Sequence, residues 1–303
     1  MTSWLGAVPT IGVVQWLTPI VRRIVAPNPS VFTGPGTNTY LIGHGDELTC
    51  VDPGPADDRH IERIAAQAMM EGRRITTIVV THTHSDHSPG ARPLAERTGA
   101  VVKGFGPMLR PGVEHHDATF NADVELREGD IAVAGVDHSL VSLHTPGHAS
   151  NHLCFAMDDP AVGRVLFTGD HVMHGSTVVI APLDGDMGEY LEHLARIRDL
   201  SPKIDVLLPG HGSAIIDPLA YLQGYIDHRG VRAGKVADHL ATVTDPEGTS
   251  ISDLVKSVYG DVDEKLHPIA LFSAWAILRQ MASSSGTATS PAPDVIEGRW
   301  SPA

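Results

Sequence analysis

Thr81-His82-Thr83-His84-Ser85-Asp86-His87 follows the apolar run Ile75-Thr76-Thr77-Ile78-Val79-Val80. A run of that length, closed by a polar loop, reads as a buried strand. A loop leaving a buried strand offers its side chains from a rigid edge, and alternate residues in it can converge on one point. His82 and His84 are thereby placed to hold one cation, and Asp86 and His87 a second beside it. Neutral imidazoles and carboxylates suit zinc, iron or manganese. Two divalent metal ions, zinc foremost, are the expected cofactors.

Three further candidates each follow a short apolar run: His148 in Leu143-His144-Thr145-Pro146-Gly147-His148, Asp170 in Phe167-Thr168-Gly169-Asp170, and His211 in Leu208-Pro209-Gly210-His211-Gly212. A lone histidine after a strand is ordinarily a satisfied core or surface residue; an ordered set of seven donors is not. The chain has 18 histidines. His44, His60, His115, His116, His138, His193, His239 and His267 read as solvated. His144, His152, His171 and His174 adjoin candidate ligands and are candidates for supporting or substrate-contacting roles.

Outward from the motif, strands are expected at 21–25, 38–42, 48–52, 75–80, 101–102, 124–126, 131–133, 140–143, 153–157, 164–167 and 204–208. Helices are expected at 58–71, 91–98 and 187–200, the first from Ile61, Ile64, Ala65 and Ala68 at helical spacing. Strands alternating with helices, plus hairpins, predict an α/β architecture of two sheets between helices. After residue 217 the pattern changes to helices at 217–240, 250–259 and 267–281, a Ser/Thr/Pro/Ala-rich stretch at 283–293 and a last strand at 295–300. The expected division is a catalytic domain over 1–216 and a small helical, winged-helix-like appendage over 217–303. Its apolar residues, among them Leu266, Ile269, Leu271, Phe272, Trp275 and Leu278, need burial against the main domain or a second copy in a homodimer.

The 303 residues suit one large domain with an appendage. The net charge of −14 repels polyanions and argues against general nucleic-acid binding. Cys50 and Cys154 sit in apolar runs and read as buried thiols. The apolar patch at 11–25 is broken by Gln15, Pro19, Arg22 and Arg23, so neither a signal peptide nor a membrane span is expected, and the default location is cytoplasmic.

The motifs resemble the metallo-β-lactamase superfamily over roughly residues 21 to 215. That resemblance implies an αββα sandwich with the site at one edge. It implies that His82, His84 and His148 bind one metal, that Asp86, His87 and His211 bind the other, and that Asp170 bridges them. It also implies that Asp52, in Val51-Asp52-Pro53-Gly54, orients a ligating histidine. Asn28-Pro29, Gly36-Thr37-Asn38-Thr39-Tyr40-Leu41, Ser176-Thr177-Val178 and Ile226-Asp227-His228-Arg229 are similar to the β-lactamase-like-protein-2 group, some of whose members cut single-stranded RNA. From Gly224 onward, however, seven Lys/Arg face ten Asp/Glu, which is unlike an RNA-gripping surface.

The expected activity is therefore hydrolysis by a metal-bridging hydroxide, with Asp86 and Asp170 as catalytic carboxylates and a small ester, thioester or related carbonyl compound as substrate. A single-stranded RNA endonuclease and a metal-binding scaffold without turnover are the alternatives.

Overall fold

The structure is a computed structural model and describes residues 5–106, 116–291 and 293–303; His115 lies outside the described residues. The first half of the chain gives β1 (Val14–Trp16), β2 (Val21–Val25), β3 (Asn38–Ile42), β4 (Glu47–Val51), α1 (Asp58–Met70), β5 (Arg74–Val79), α2 (Ala91–Thr98), β6 (Val101–Gly104) and β7 (Val124–Glu125). Among the described residues these strands form one sheet in sequence order, antiparallel from β1 to β4 and parallel from β4 to β7.

A second sheet follows: β8 (Ile131–Ala134), β9 (Ser139–His144), β10 (Leu153–Asp159), β11 (Gly163–Gly169), then α3 (Met187–Arg198) and β12 (Val206–Pro209). β8 to β11 run antiparallel, and β12 returns through α3 to lie parallel beside β11.

Strand periodicity assigns each residue to a layer. Tyr40, Ile42, Val51 and Val79 of the first sheet meet Leu153, Phe155, Met157, Val165, Phe167, Val206 and Leu208 of the second in the central core. Their neighbours point outward. Leu41, Leu48, Cys50, Ile75 and Ile78 pack on Ile61 and Ile64 of α1 and Leu94 of α2. Cys154, Ala156, Leu166 and Leu207 pack under Tyr190, Leu194 and Ile197 of α3. The two buried free thiols thus lie on opposite outer faces of the sandwich. The layers are helix, sheet, sheet, helix, as the sequence predicts.

The rest of the chain is α4 (Pro218–Ala241), β13 (Thr249–Ser250), α5 (Ile251–Val258), α6 (His267–Gln280), β14 (Ala288–Thr289) and β15 (Arg299–Pro302), with the short strands ordered β13-β15-β14. Trp275 and Leu278 of α6 enter the same core as α3 and α4, so the expected burial against the main domain is observed; Leu266 remains 36 % exposed. No helix among the described residues is long and apolar enough to cross a membrane.

Several expectations are completed or corrected. β1 lies outside the expected strands because its three residues, Val14-Gln15-Trp16, are too few to display a period. The strand expected over 21–25 is observed as β2, and Arg22 and Arg23, which break the apolar pattern there, are both fully buried within it. Arg22 pairs with Glu71 and lies over Trp16, while Arg23 donates to Gln15 and to the Gly212 and Ala7 carbonyls. The last strand begins at Arg299 instead of Val295. His60 and His138 are buried, not solvated: their Nε2 atoms bond the hydroxyls of Thr39 (2.9 Å) and Thr49 (2.8 Å).

Candidate metal centre

The seven predicted donors arrive from both sheets at one edge of the sandwich. His82, His84, Asp86 and His87 lie in the loop after β5, His148 in the β9–β10 connection, Asp170 directly after β11, and His211 just past β12. Because β11 and β12 are parallel neighbours, Asp170 and His211 leave the second sheet at the same end. Gly210 permits their close approach: a Cβ there would stand 2.6 Å from Asp170 Oδ1 and 2.7 Å from His87 Cε1.

The donors form two groups. Ligand atoms of His82, His84, His148 and Asp170 all lie within 4.8 Å of one another, and so do those of Asp86, His87 and His211. Asp170 faces both groups. Its Oδ2 is 3.7 Å from His148 Nε2, and its Oδ1 is 3.3 Å from His211 Nε2 and 3.4 Å from His87 Nε2.

The outer nitrogens of four rings are committed elsewhere, and this fixes their tautomers. His87 Nδ1 donates to Asp52 Oδ2 (2.9 Å), His148 Nδ1 to the Val179 carbonyl (2.9 Å) and His211 Nδ1 to the Gly36 carbonyl (3.3 Å). Thr81 gives its hydroxyl proton to Asp52 Oδ2 (2.7 Å), so it accepts from His82 Nδ1 (3.0 Å). In all four, Nε2 is left to point inward. His84 turns its Nδ1 inward, 2.8 Å from His82 Nε2 and 2.9 Å from His148 Nε2. His84 Nδ1 can donate to one of these neighbours only, so at least one of the two short N···N contacts has no proton between its nitrogens. Asp170 Oδ1 is buried and no hydrogen bond of normal geometry reaches it, although the Nε2 atoms of His87 and His211 stand at 3.4 and 3.3 Å. Converging lone pairs and an orphaned carboxylate oxygen fit a cation in each group.

Electrostatics separates the groups. Burial disfavours charge on every ring. At His82, His84 and His148 it prevails, reinforced at each by neighbouring imidazoles, and holds them below the usual histidine range. At His87 and His211 the carboxylates of Asp86 and Asp170 overcome burial, carrying His87 well above that range and His211 up to about 9. Asp86 and Asp170 are held below the usual carboxylate range by these imidazoles, against the opposing effect of burial.

Supporting residues complete the site. Asp52, at a left-handed φ of 47°, accepts from the Thr81 amide (2.7 Å) as well as from Thr81 Oγ1 and His87. Thr37 donates to Asp86 Oδ2 (2.9 Å), and His152 Nε2 accepts from the Asp170 amide (3.2 Å) while its Nδ1 donates to Thr145. Sequence reasoning missed Thr81 and Thr37, which are adjacent to recognised motifs but common in type. Of the other adjoining histidines, His144 stacks on Phe105, His171 is buried against Tyr190, and His174 is exposed over Tyr221. His116, expected in solvent, lies with its ring 4.5 Å from that of His84.

Known proteins agree with this architecture. Residues 32–211 match the metallo-beta-lactamase superfamily, and residues 250–284 match the beta-lactamase associated winged helix domain. The chain belongs to the metallo-beta-lactamase superfamily of hydrolases, with a C-terminal winged-helix module. It is 31 % identical over 277 residues to a Beta-lactamase-like protein 2 homolog of Drosophila melanogaster, covering 87 % of this chain and 88 % of that one. It is also 31 % identical over 269 residues to an Atrochrysone carboxyl ACP thioesterase of Aspergillus chevalieri, covering 87 % and 80 %. A Beta-lactamase domain protein from Burkholderia ambifaria shares the fold, with a TM-score of 0.79 at 21 % identity over 100 % of this chain and 97 % of that one.

Proposed function

We propose that the chain is a dinuclear metal-dependent hydrolase acting on a small ester, thioester or related carbonyl compound. His82, His84 and His148 would hold one cation and Asp86, His87 and His211 the other, with Asp170 placed between the two groups. Divalent cations bound there would polarise a carbonyl oxygen and lower the pKa of water. The observation that carries the reading is the pair of donor groups joined through the two oxygens of Asp170.

The chain's own groups divide the remaining work. Asp170 spans the groups and sets their separation. Asp86 is the more open carboxylate, its side chain 25 % exposed against 10 % for Asp170. Fixed by Thr37 at Oδ2, it can orient the nucleophile. Bonds at the opposite nitrogen aim the Nε2 atoms of four imidazoles inward, so the rings need not turn to reach a cation. A carbonyl substrate is favoured because the thioesterase relative spans most of both chains. Val31 and Phe32, exposed on the loop that ends at Thr37, offer apolar contact to an acyl group. The acidic C-terminal composition weighs against RNA.

The test is an activity panel of thioesters, lactones, simple esters, phosphodiesters and single-stranded RNA, with and without chelator, beside elemental analysis. Chelator-sensitive turnover of a carbonyl substrate with about two metals per chain is expected. Cleavage confined to RNA would overturn the substrate class, and a metal content near zero even after reconstitution would overturn the chemistry.

A further inference from the structure

The connection between β11 and α3 carries the Val179 carbonyl that accepts from His148 Nδ1, yet residues 171–181 include neither helix nor strand. Irregular backbone at a buried site must find its hydrogen-bond partners elsewhere. For residues 173–178 several of them come from one face of α4, at positions 221, 225 and 229, which four-residue spacing stacks along the helix. Tyr221 Oη accepts from the Gly175 amide (3.0 Å) and lies 3.0 Å from the Met173 carbonyl. Tyr225 Oη accepts from the Met173 amide (3.2 Å) and can donate to the Met173 carbonyl (2.7 Å) or the Ser176 carbonyl. Arg229 Nη2 donates to the Val178 carbonyl, one residue before Val179. The segment also meets the second donor group, since the His174 amide donates to the His211 carbonyl (3.2 Å).

Arg229 is a poor choice for stability alone. It is 4 % exposed, its Nε has no hydrogen-bond partner, and no carboxylate among the described residues lies within 4.0 Å. Its guanidinium lies 5.4 Å from the Tyr190 ring centroid. A buried, unpaired charge is costly, and the strong contact it makes is to the backbone beside Val179.

We propose that Tyr221, Tyr225 and Arg229 are positioning residues, through which the C-terminal part of the chain fixes the 173–179 backbone and so the tautomer and aim of His148. The inference rests on the metal-binding reading above but adds to it. It makes α4 part of the support of the first donor group, and it predicts a metal-affinity defect from residues that touch no donor.

The test uses the full chain, stripped by chelator and titrated with zinc against a chromophoric competitor, with a thermal melt of the stripped protein alongside. Tyr225→Phe, which removes a hydroxyl only, and Arg229→Ala should each weaken one of two zinc sites about tenfold, the low end for outer partners of a ligand, and affect the other less. Arg229→Lys should recover part of the loss, because an ammonium can still donate to Val178. The Tyr225→Phe melt, free of metal, should stay close to that of the parent. Unchanged zinc affinity at both sites in Tyr225→Phe, whatever happens to the melt, would overturn the proposal. Should the parent chain itself bind no zinc, the metal reading falls and takes this inference with it.

Discussion

The two donor groups lie side by side but are built differently. The first gathers three imidazoles and one oxygen of Asp170; the second gathers two imidazoles around Asp86 and the other oxygen of Asp170. Carboxylates decide the outcome: imidazoles of the first group are kept neutral by burial, whereas those of the second are driven toward protonation. Their supports differ as well. The second leans on Asp52, Thr37 and Gly36 from the first half of the chain, while His148 of the first leans on Val179 from the second half.

Breaking the residue common to both groups should do most damage. Asp170→Ala should reduce turnover by about 10²–10³, or roughly 3–4 kcal/mol, and lower the occupancy of both groups in elemental analysis. Wild-type turnover with an unchanged metal count would remove Asp170 from the site. Asp86→Ala should separate the groups. His82, His84 and His148 remain, so about one metal per chain should survive while activity falls by about 10²; loss of both metals would show that the groups are not independent.

Asp52→Ala probes the shared support without removing a donor. It deprives His87 Nδ1, Thr81 Oγ1 and the Thr81 amide of their acceptor, and a 10–100-fold loss of metal affinity is expected, larger at the second group. Equal affinity in a zinc titration would show that the carboxylate is dispensable.

The smallest effect lies at His60. Its Nε2 donates to Thr39, whose proton goes to the Asp52 carbonyl at 2.7 Å. His60→Gln should cost about 1 kcal/mol at neutral pH. Burial depresses the His60 pKa to about 4, against a smaller opposing effect of Asp57 and a reinforcing one of Arg63. The unfolded chain therefore binds a proton that the fold refuses as pH falls from about 6.5 to 4, and stability declines across that window by roughly 3 kcal/mol from this group. Denaturant melts of His60→Gln should show a shallower acid decline; an identical slope would mean that His60 titrates normally.

Much of this was legible because strand-end motifs encode both fold and site. The runs ending at Val80, Phe167 and Leu208 marked the strands, and the residues after them supplied the donors. What escaped depended on partners remote in sequence. His60 looked solvated because hydropathy cannot register Thr39, 21 residues away. Arg22 and Arg23 looked like interruptions because Glu71 and the Gly212 carbonyl are visible only in three dimensions. Arg229 was noticed as part of a resembling motif, but its approach to Val178 follows from how α4 lies on the sandwich, which no local pattern specifies.

The parallel pairing of β11 with β12 carries a consequence for folding. His87 and His211 are 124 positions apart, and their Nε2 atoms come within 3.3 Å only after β12 has returned through α3 to close the second sheet. Local elements can form earlier, yet this contact demands one of the chain's long loop closures. A ribosome-bound or truncated chain ending before Val206 lacks the last donor altogether. Competence at this edge is therefore a late event, and capture of a second cation would report that both sheets have docked.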